Sequence, residues 1–233
     1  MSELKRLANL LQIKEEEISF LTPLNTEQIQ FLHTSIDNAI YLHQSPLWEG
    51  LAKATHLLPD RLNAKIASNF IGAAATAQLS YHLPPQKALK IATHFATPFM
   101  ADVATHMEPK RAEAIIRIFP QDKVRAIALY LLQQEDYELM GMFLDYLSPA
   151  QSVPILKDIH SDEAILHIMA HAERKENLGQ FVTHIGNPRL LSLLQKVNEL
   201  EMWDEVMQIL PHLPPAQQTR ITPLITQLRE GFD

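Results

Sequence analysis

Apolar residues recur every twelve positions through the middle of the chain, at Leu83, Phe95, Met107, Phe119, Leu131 and Phe143. A second series keeps step eight residues later, at Ile91, Val103, Ile115, Ile127 and Leu139. Small or apolar residues follow it at Ala92, Ala104, Ile116, Ala128 and Met140, and prolines open most units, at Pro84-Pro85, Pro98, Pro109 and Pro120. A period of twelve leaves room for one helix of about nine residues and a turn. Such a helix is ~13 Å long and too short to be stable alone in water. It persists only when its apolar stripe packs on the helices before and after it. The repeat therefore predicts short helices stacked into an α-solenoid, or superhelix, with about twelve residues per helix.

Local signals agree. The chain has six glycines and few runs of β-branched residues, which leaves little room for hairpins or a sheet. A Ser, Thr or Asn followed by Pro supplies an N-cap oxygen and then a first helical residue with no N–H to satisfy. That pair occurs at Thr22-Pro23, Ser45-Pro46, Thr97-Pro98, Ser148-Pro149, Asn187-Pro188 and Thr222-Pro223. Helix ends are marked by a histidine before an apolar residue, at His56, His82, His94, His106, His184 and His212. The fold class is all-α. The pattern predicts a helix over about 2–13, an acidic turn near Lys14 to Phe20, and helices from Thr26 to His43 and from Pro46 to His56. A long helix follows from Pro59 to Tyr81, with short ones from Leu83 onward. Leu58, Ile66 and Phe70 form an earlier unit of the same pattern. Past Phe143 the phase slips by four, and units restart at Ser148-Pro149, Asn187-Pro188 and Pro214-Pro215. No Gly/Ser-rich linker divides the chain. Residues 1–233 read as a single helical-repeat domain, with N-terminal capping helices over 1–82 and short-helix repeats over 83–233.

The phrase Leu83-Pro84-Pro85-Gln86-Lys87-Ala88-Leu89-Lys90-Ile91 is echoed in Met107-Glu108-Pro109-Lys110-Arg111-Ala112 and in Leu213-Pro214-Pro215-Ala216-Gln217. It resembles the cytosolic N-terminal superhelix of MgtE-type magnesium transporters, and the helical domain of the flagellar switch protein FliG uses similar short units. The similarity runs from Leu83 to Ile225. In the transporters the superhelix packs on a CBS-domain pair and helps sense magnesium through acidic residues at that junction. The resemblance implies a superhelical fold. It transfers no functional residue, because this sequence holds neither a CBS pair, nor transmembrane segments, nor a dense acidic face in its repeats.

Charge and composition narrow the function. A net charge of −7 argues against a general nucleic-acid binder, whose affinity rests on neutralising phosphates. The lack of cysteine excludes disulfides, thiolate zinc sites and cysteine nucleophiles, and fits a reducing compartment. The first residues carry no apolar core of a signal peptide, and no stretch approaches the ~18 to 20 apolar residues of a membrane span. A cytoplasmic protein without membrane insertion is expected. There is no Gly-rich phosphate loop, no Gly-x-Ser-x-Gly elbow and no His-Glu-x-x-His, so a non-enzymatic protein without a cofactor is expected.

The candidate binding residues are basic. Lys87, Arg111 and Lys123 occupy one repeat position in three units, supported by Lys90, Lys110, Arg117 and Arg125. Stacking would place Lys87 and Arg111 on one face, two helices apart, where an acidic protein partner could sit. His167 and His171 stand four apart, with Glu163 a turn earlier, a spacing able to clamp a divalent metal. The recurring helix-end histidines suit a capping role at the negative end of the helix dipole. Charged there, they would raise stability as pH falls from about 8 to 6. Glu15-Glu16-Glu17 and Glu135-Asp136-Glu138 lack any Ca²⁺-loop pattern and read as solvated helix ends. The leading expectation is an interaction scaffold or adaptor for another protein. The alternatives are a regulatory domain sensing divalent metal or pH, and nucleic-acid binding on a helical-repeat scaffold.

Overall fold

The computed structural model describes residues 3–11 and 13–230. Every regular element among them is helical. None of the described helices is long and apolar enough to cross a membrane. The chain divides into two compact units, 1–58 and 59–233.

In the first unit, α1 (Glu3–Leu11) packs on α2 (Thr26–Ala54) through Leu7, Ala8, Ile18 and Ile29, with a tight helical turn at Glu15–Leu21 between them. The expected first helix reaches Ser2 and Gln12, which lie outside the described residues. Asn25 starts α2 by a reciprocal cap: its side-chain oxygen accepts from Gln28 N at 2.8 Å, while Gln28 Oε1 accepts from Asn25 N at 3.0 Å. The two helices expected over 26–56 are one, because the chain continues through Pro46. Ser45 does not cap there. Its hydroxyl donates to Glu49 Oε1 a turn onward, at 3.2 Å.

The second unit holds α3 (Asp60–Ile66), α4 (Ala73–Ser80), α5 (Pro85–Ala92), α6 (Thr97–Thr105), α7 (Pro109–Ile118), α8 (Gln121–Gln133) and α9 (Tyr137–Leu144). It continues with α10 (Pro149–Asp158), α11 (Asp162–Ala170), α12 (Lys175–Thr183), α13 (Asn187–Glu199), α14 (Trp203–Ile209) and α15 (Pro215–Glu230). The single long helix expected over 59–81 is broken. Residues Ala67–Ile71 form a π-type turn closed by Gly72 N–H on Ala67 O at 2.9 Å, and Gly72 then takes φ +84°, a conformation costly for any residue with a Cβ.

Helices two apart in the chain pack side by side: α3 on α5, α5 on α7, α4 on α6, α6 on α8, α8 on α10, α9 on α11, α11 on α13 and α13 on α15. This is the α-solenoid that the repeat predicts. Leu83, Phe95 and Leu131 of the first apolar series, with Ile91, Val103, Ile115 and Leu139 of the second, are buried. The turn residues Phe95, Met107 and Phe119 each close the preceding helix with a backbone N–H bond of 3.0–3.1 Å.

Helices α5 to α8 begin at 85, 97, 109 and 121, twelve apart, but α9 begins sixteen on, at 137. The slip of four thus lies inside α8, ahead of Phe143 rather than past it, and the thirteen-residue helix absorbs it. The same event recurs in α13, also thirteen residues long. The starts of α7 to α10 (109, 121, 137, 149) are matched by those of α12 to α15 (175, 187, 203, 215), each 66 residues on. A five-helix pattern therefore overlies the twelve-residue one.

Both long helices end alike. After α8, Asp136 N donates to Leu131 O at 3.1 Å and Glu135 N to Leu132 O at 3.1 Å; after α13, Met202 N reaches Val197 O at 2.9 Å and Glu201 N reaches Asn198 O at 3.3 Å. This paired pattern needs a left-handed residue, and Glu135 (φ 56°) and Glu201 (φ 57°) supply it at a steric cost that glycine would not meet. Replacing Glu135 or Glu201 by glycine is expected to stabilise the protein by roughly 0.5–1 kcal/mol each. Urea midpoints measured with each single variant check it, and a drop in either midpoint would contradict it.

Candidate interaction face

The basic residues fall on the stacked row α3, α5 and α7. These three helices carry seven of the chain's 20 Lys and Arg residues: Arg61, Lys65, Lys87, Lys90, Lys110, Arg111 and Arg117. Inside them stand two acids, Asp60 and Glu113, although the chain as a whole holds 27. Local charge therefore runs opposite to net charge.

The packing decides which cations meet solvent. The fourth residue of each helix, Asn63, Ala88 or Ala112, is buried in the stack. The second and sixth residues are exposed in all three: Arg61 and Lys65, Gln86 and Lys90, Lys110 and Ala114. Residues four apart share a helix face. Four cations thus occupy one solvent face of three adjoining helices, and no acid stands at any of its six positions.

Lys87 and Arg111, at the third position, are turned aside and half-buried. Lys87 Nζ donates to Asp60 Oδ1 of α3 at 2.5 Å, and this ammonium holds the Asp60 carboxyl below its usual range. Arg111 Nε lies 3.0 Å from Glu108, and Arg117 pairs with Glu113 at 2.6 Å. Lys123 is half-buried on α8, in the other row. Of the five basic candidates, Lys90 and Lys110 lie on the exposed face, while Arg61 and Lys65 join them unannounced. The early unit Leu58, Ile66, Phe70 was the signal that could have found them, since it puts α3 in phase with α5.

His167 and His171 lie in a different setting. His167 stacks on Tyr137 of α9 with ring centroids 5.7 Å apart, and its Nε2 is 3.8 Å from Glu163. His171 follows the last residue of α11 and is half-buried against α9. Among the described residues, no group of three or more His, Asp or Glu is gathered that could hold a metal ion. Among the helix-end histidines, the backbone amides of His82, His94 and His106 each donate to the preceding helix at 3.1 Å. The His106 ring lies 3.7 Å from Asp102, and His184 Nδ1 lies 3.0 Å from the Thr183 hydroxyl. Asp136 of the second acidic cluster caps α9, accepting from Leu139 N at 3.2 Å.

Burial pushes the His171 imidazole below its ordinary pKa, against the opposing pull of Glu138. The unfolded chain then takes up the proton first. Stability is full above about pH 6.5 and falls as pH drops from there through the folded value. This sign is opposite to that of a charged cap. Between pH 7 and 5 the wild-type melting temperature is expected to fall more steeply than that of His171→Gln. Parallel curves would refute it.

In comparisons with protein-family models, curated proteins and solved structures, nothing matches the chain.

Proposed function

We propose that the protein is a non-enzymatic helical-repeat scaffold that binds another protein through the solvent face of α3, α5 and α7. One observation carries the reading. Arg61, Lys65, Lys90 and Lys110 share an exposed face without an acid, in a chain of net charge −7. Charge gathered against the sign of the whole molecule steers a partner of opposite sign and disfavours self-association at that face. The resemblance to the MgtE superhelix, a domain that packs on another domain, supports the same reading.

The test is affinity capture with the full chain, wild type beside Lys90→Glu/Lys110→Glu. Both side chains are exposed, so the double variant is expected to keep its helical circular dichroism and its melting temperature within about 2 °C. Wild type should retain a protein that the variant loses. Identical capture by both chains, or capture of nothing by either, would overturn the proposal.

A further inference from the structure

The cationic face ends on an apolar step. α3 is the first helix of the second unit, and its Leu62 is 43% exposed. The π-type turn after α3 presents Phe70 at 82% exposure and Ile71 at 37%. Neighbouring helices cover such residues elsewhere in the stack: the turn residues Leu83 and Phe95 are each 9% exposed. The extra residue per turn and the reversal at Gly72 set Phe70 outward. Solenoid ends need a polar outer surface or a cover. Here Arg61 and Lys65 flank the apolar step on the same helix.

We infer that this end of the row is a docking surface for an acidic amphipathic helix of a partner protein, its apolar residues on Leu62, Phe70 and Ile71 and its carboxylates on Arg61, Lys65, Lys90 and Lys110. The inference rests on the proposed scaffold role and adds the chemistry of the partner. Packed helices lie ~8–10 Å apart, and residues four apart on one helix are ~6 Å apart. The cations therefore form a lattice with the spacing of acids on successive turns of a crossing helix. A helix fits better than an anionic bilayer. An extended surface meets the field of the whole chain, with its net charge of −7, whereas one helix meets the four local cations within about a Debye length.

The probes are a synthetic helical peptide of about five turns with Glu and Asp beside Leu and Phe at i, i+4 spacing, the same peptide with Leu and Phe changed to Ser, and phosphatidylglycerol vesicles. Fluorescence anisotropy with the full chain should show the first peptide binding. Its affinity should weaken about tenfold in Lys65→Glu/Lys90→Glu, about fivefold in Phe70→Ser, and about tenfold on raising NaCl from 50 to 300 mM. The Ser peptide should bind at least about fivefold more weakly than the first. Equal binding of the two peptides would overturn the inference, as would failure of the first peptide or indifference to the variants. Vesicle binding in place of peptide binding would assign the face to a membrane. A partner captured through Lys90 and Lys110 but indifferent to Phe70→Ser would leave the scaffold role standing and remove this inference alone.

Discussion

Gly141→Ala is expected to destabilise the protein by about 3 kcal/mol, since overpacking against backbone atoms costs 1–3 kcal/mol and here no flexible side chain can give way. A Cβ at Gly141 would lie 2.5 Å from Ile168 O, 2.6 Å from His171 Cβ and 2.9 Å from His171 C. These atoms belong to α11 and its last turn, so the two helices would have to separate. The separation would also open the Tyr137–His167 stack. Gly179→Ala meets the same obstacle, with a Cβ 2.6 Å from His212 O in the turn between α14 and α15. Gly50→Ala is the control: nothing lies within 4 Å of its Cβ, and it stands inside α2. There alanine should stabilise by roughly 0.5–1 kcal/mol through helix propensity. Urea midpoints of the three variants check the ordering. A Gly141→Ala midpoint equal to wild type would show that α9 and α11 do not approach this closely.

Glycines in a chain with only six of them are visible in the sequence, but their reasons are not. Gly141 and Gly179 sit inside helices, where sequence rules read glycine as a weakness; their backbone neighbours lie about thirty residues away. The helices themselves were legible because a short amphipathic helix writes its own period. Stacking followed from the twelve-residue interval. The slip inside α8 was displaced to Phe143 because Leu131 and Phe143 continue the apolar series across it, and an extra turn of helix leaves both positions apolar. Pro46 misled through a local rule: a Ser-Pro pair fits the first turn of a helix, yet the chain accepts the lost hydrogen bond and continues.

The interaction face was legible in half. Lys90 and Lys110 stood in the basic set, but the repeat phase put Lys87 and Arg111 at its centre. Their ion pairs with Asp60 and Glu108 explain why packing turned them aside. Which cation a helix presents depends on the angle at which its neighbour docks, and periodicity alone does not fix that angle to within one residue. The polar links between layers carried no signal at all. Asp145, buried at the end of α9, accepts from the amides of Glu173 and Arg174 ahead of α12 at 2.8 and 3.1 Å, and burial raises its carboxyl pKa despite those two bonds. Arg189 Nη2 reaches Ile159 O at 2.9 Å across a similar gap.

Gln151 shows how such a link holds the stack, and its replacement is expected to cost nearly as much as Gly141→Ala. Its Nε2 donates to Ile116 O at 3.1 Å and Phe119 O at 3.0 Å, satisfying the end of α7 from α10. Its Oε1 accepts from the Ser148 amide at 3.0 Å and from the Ser148 hydroxyl at 2.8 Å. The side chain is buried and uses its full capacity of two donated and two accepted bonds. Sixty-six residues on, the equivalent carbonyls Val182 O and Ile185 O are held by Arg220 Nη2 at 3.3 and 3.2 Å. The carbonyls keep their place in the pattern while the donor changes, which marks them as the constraint. Gln151→Leu keeps the bulk but takes the side-chain donor from both carbonyls, leaving Ile116 O its bond from the Phe119 amide, and should cost about 2 kcal/mol. Gln151→Glu keeps the two accepted bonds but sets a carboxylate against the negative end of α7, and should cost about 3 kcal/mol at pH 7. The folded-state pKa of that carboxyl would be raised, so the Glu variant should regain stability relative to Leu as pH falls toward about 5. A Gln151→Leu midpoint equal to that of wild type at pH 7 would show that carbonyl capping contributes nothing there and that bulk alone is required.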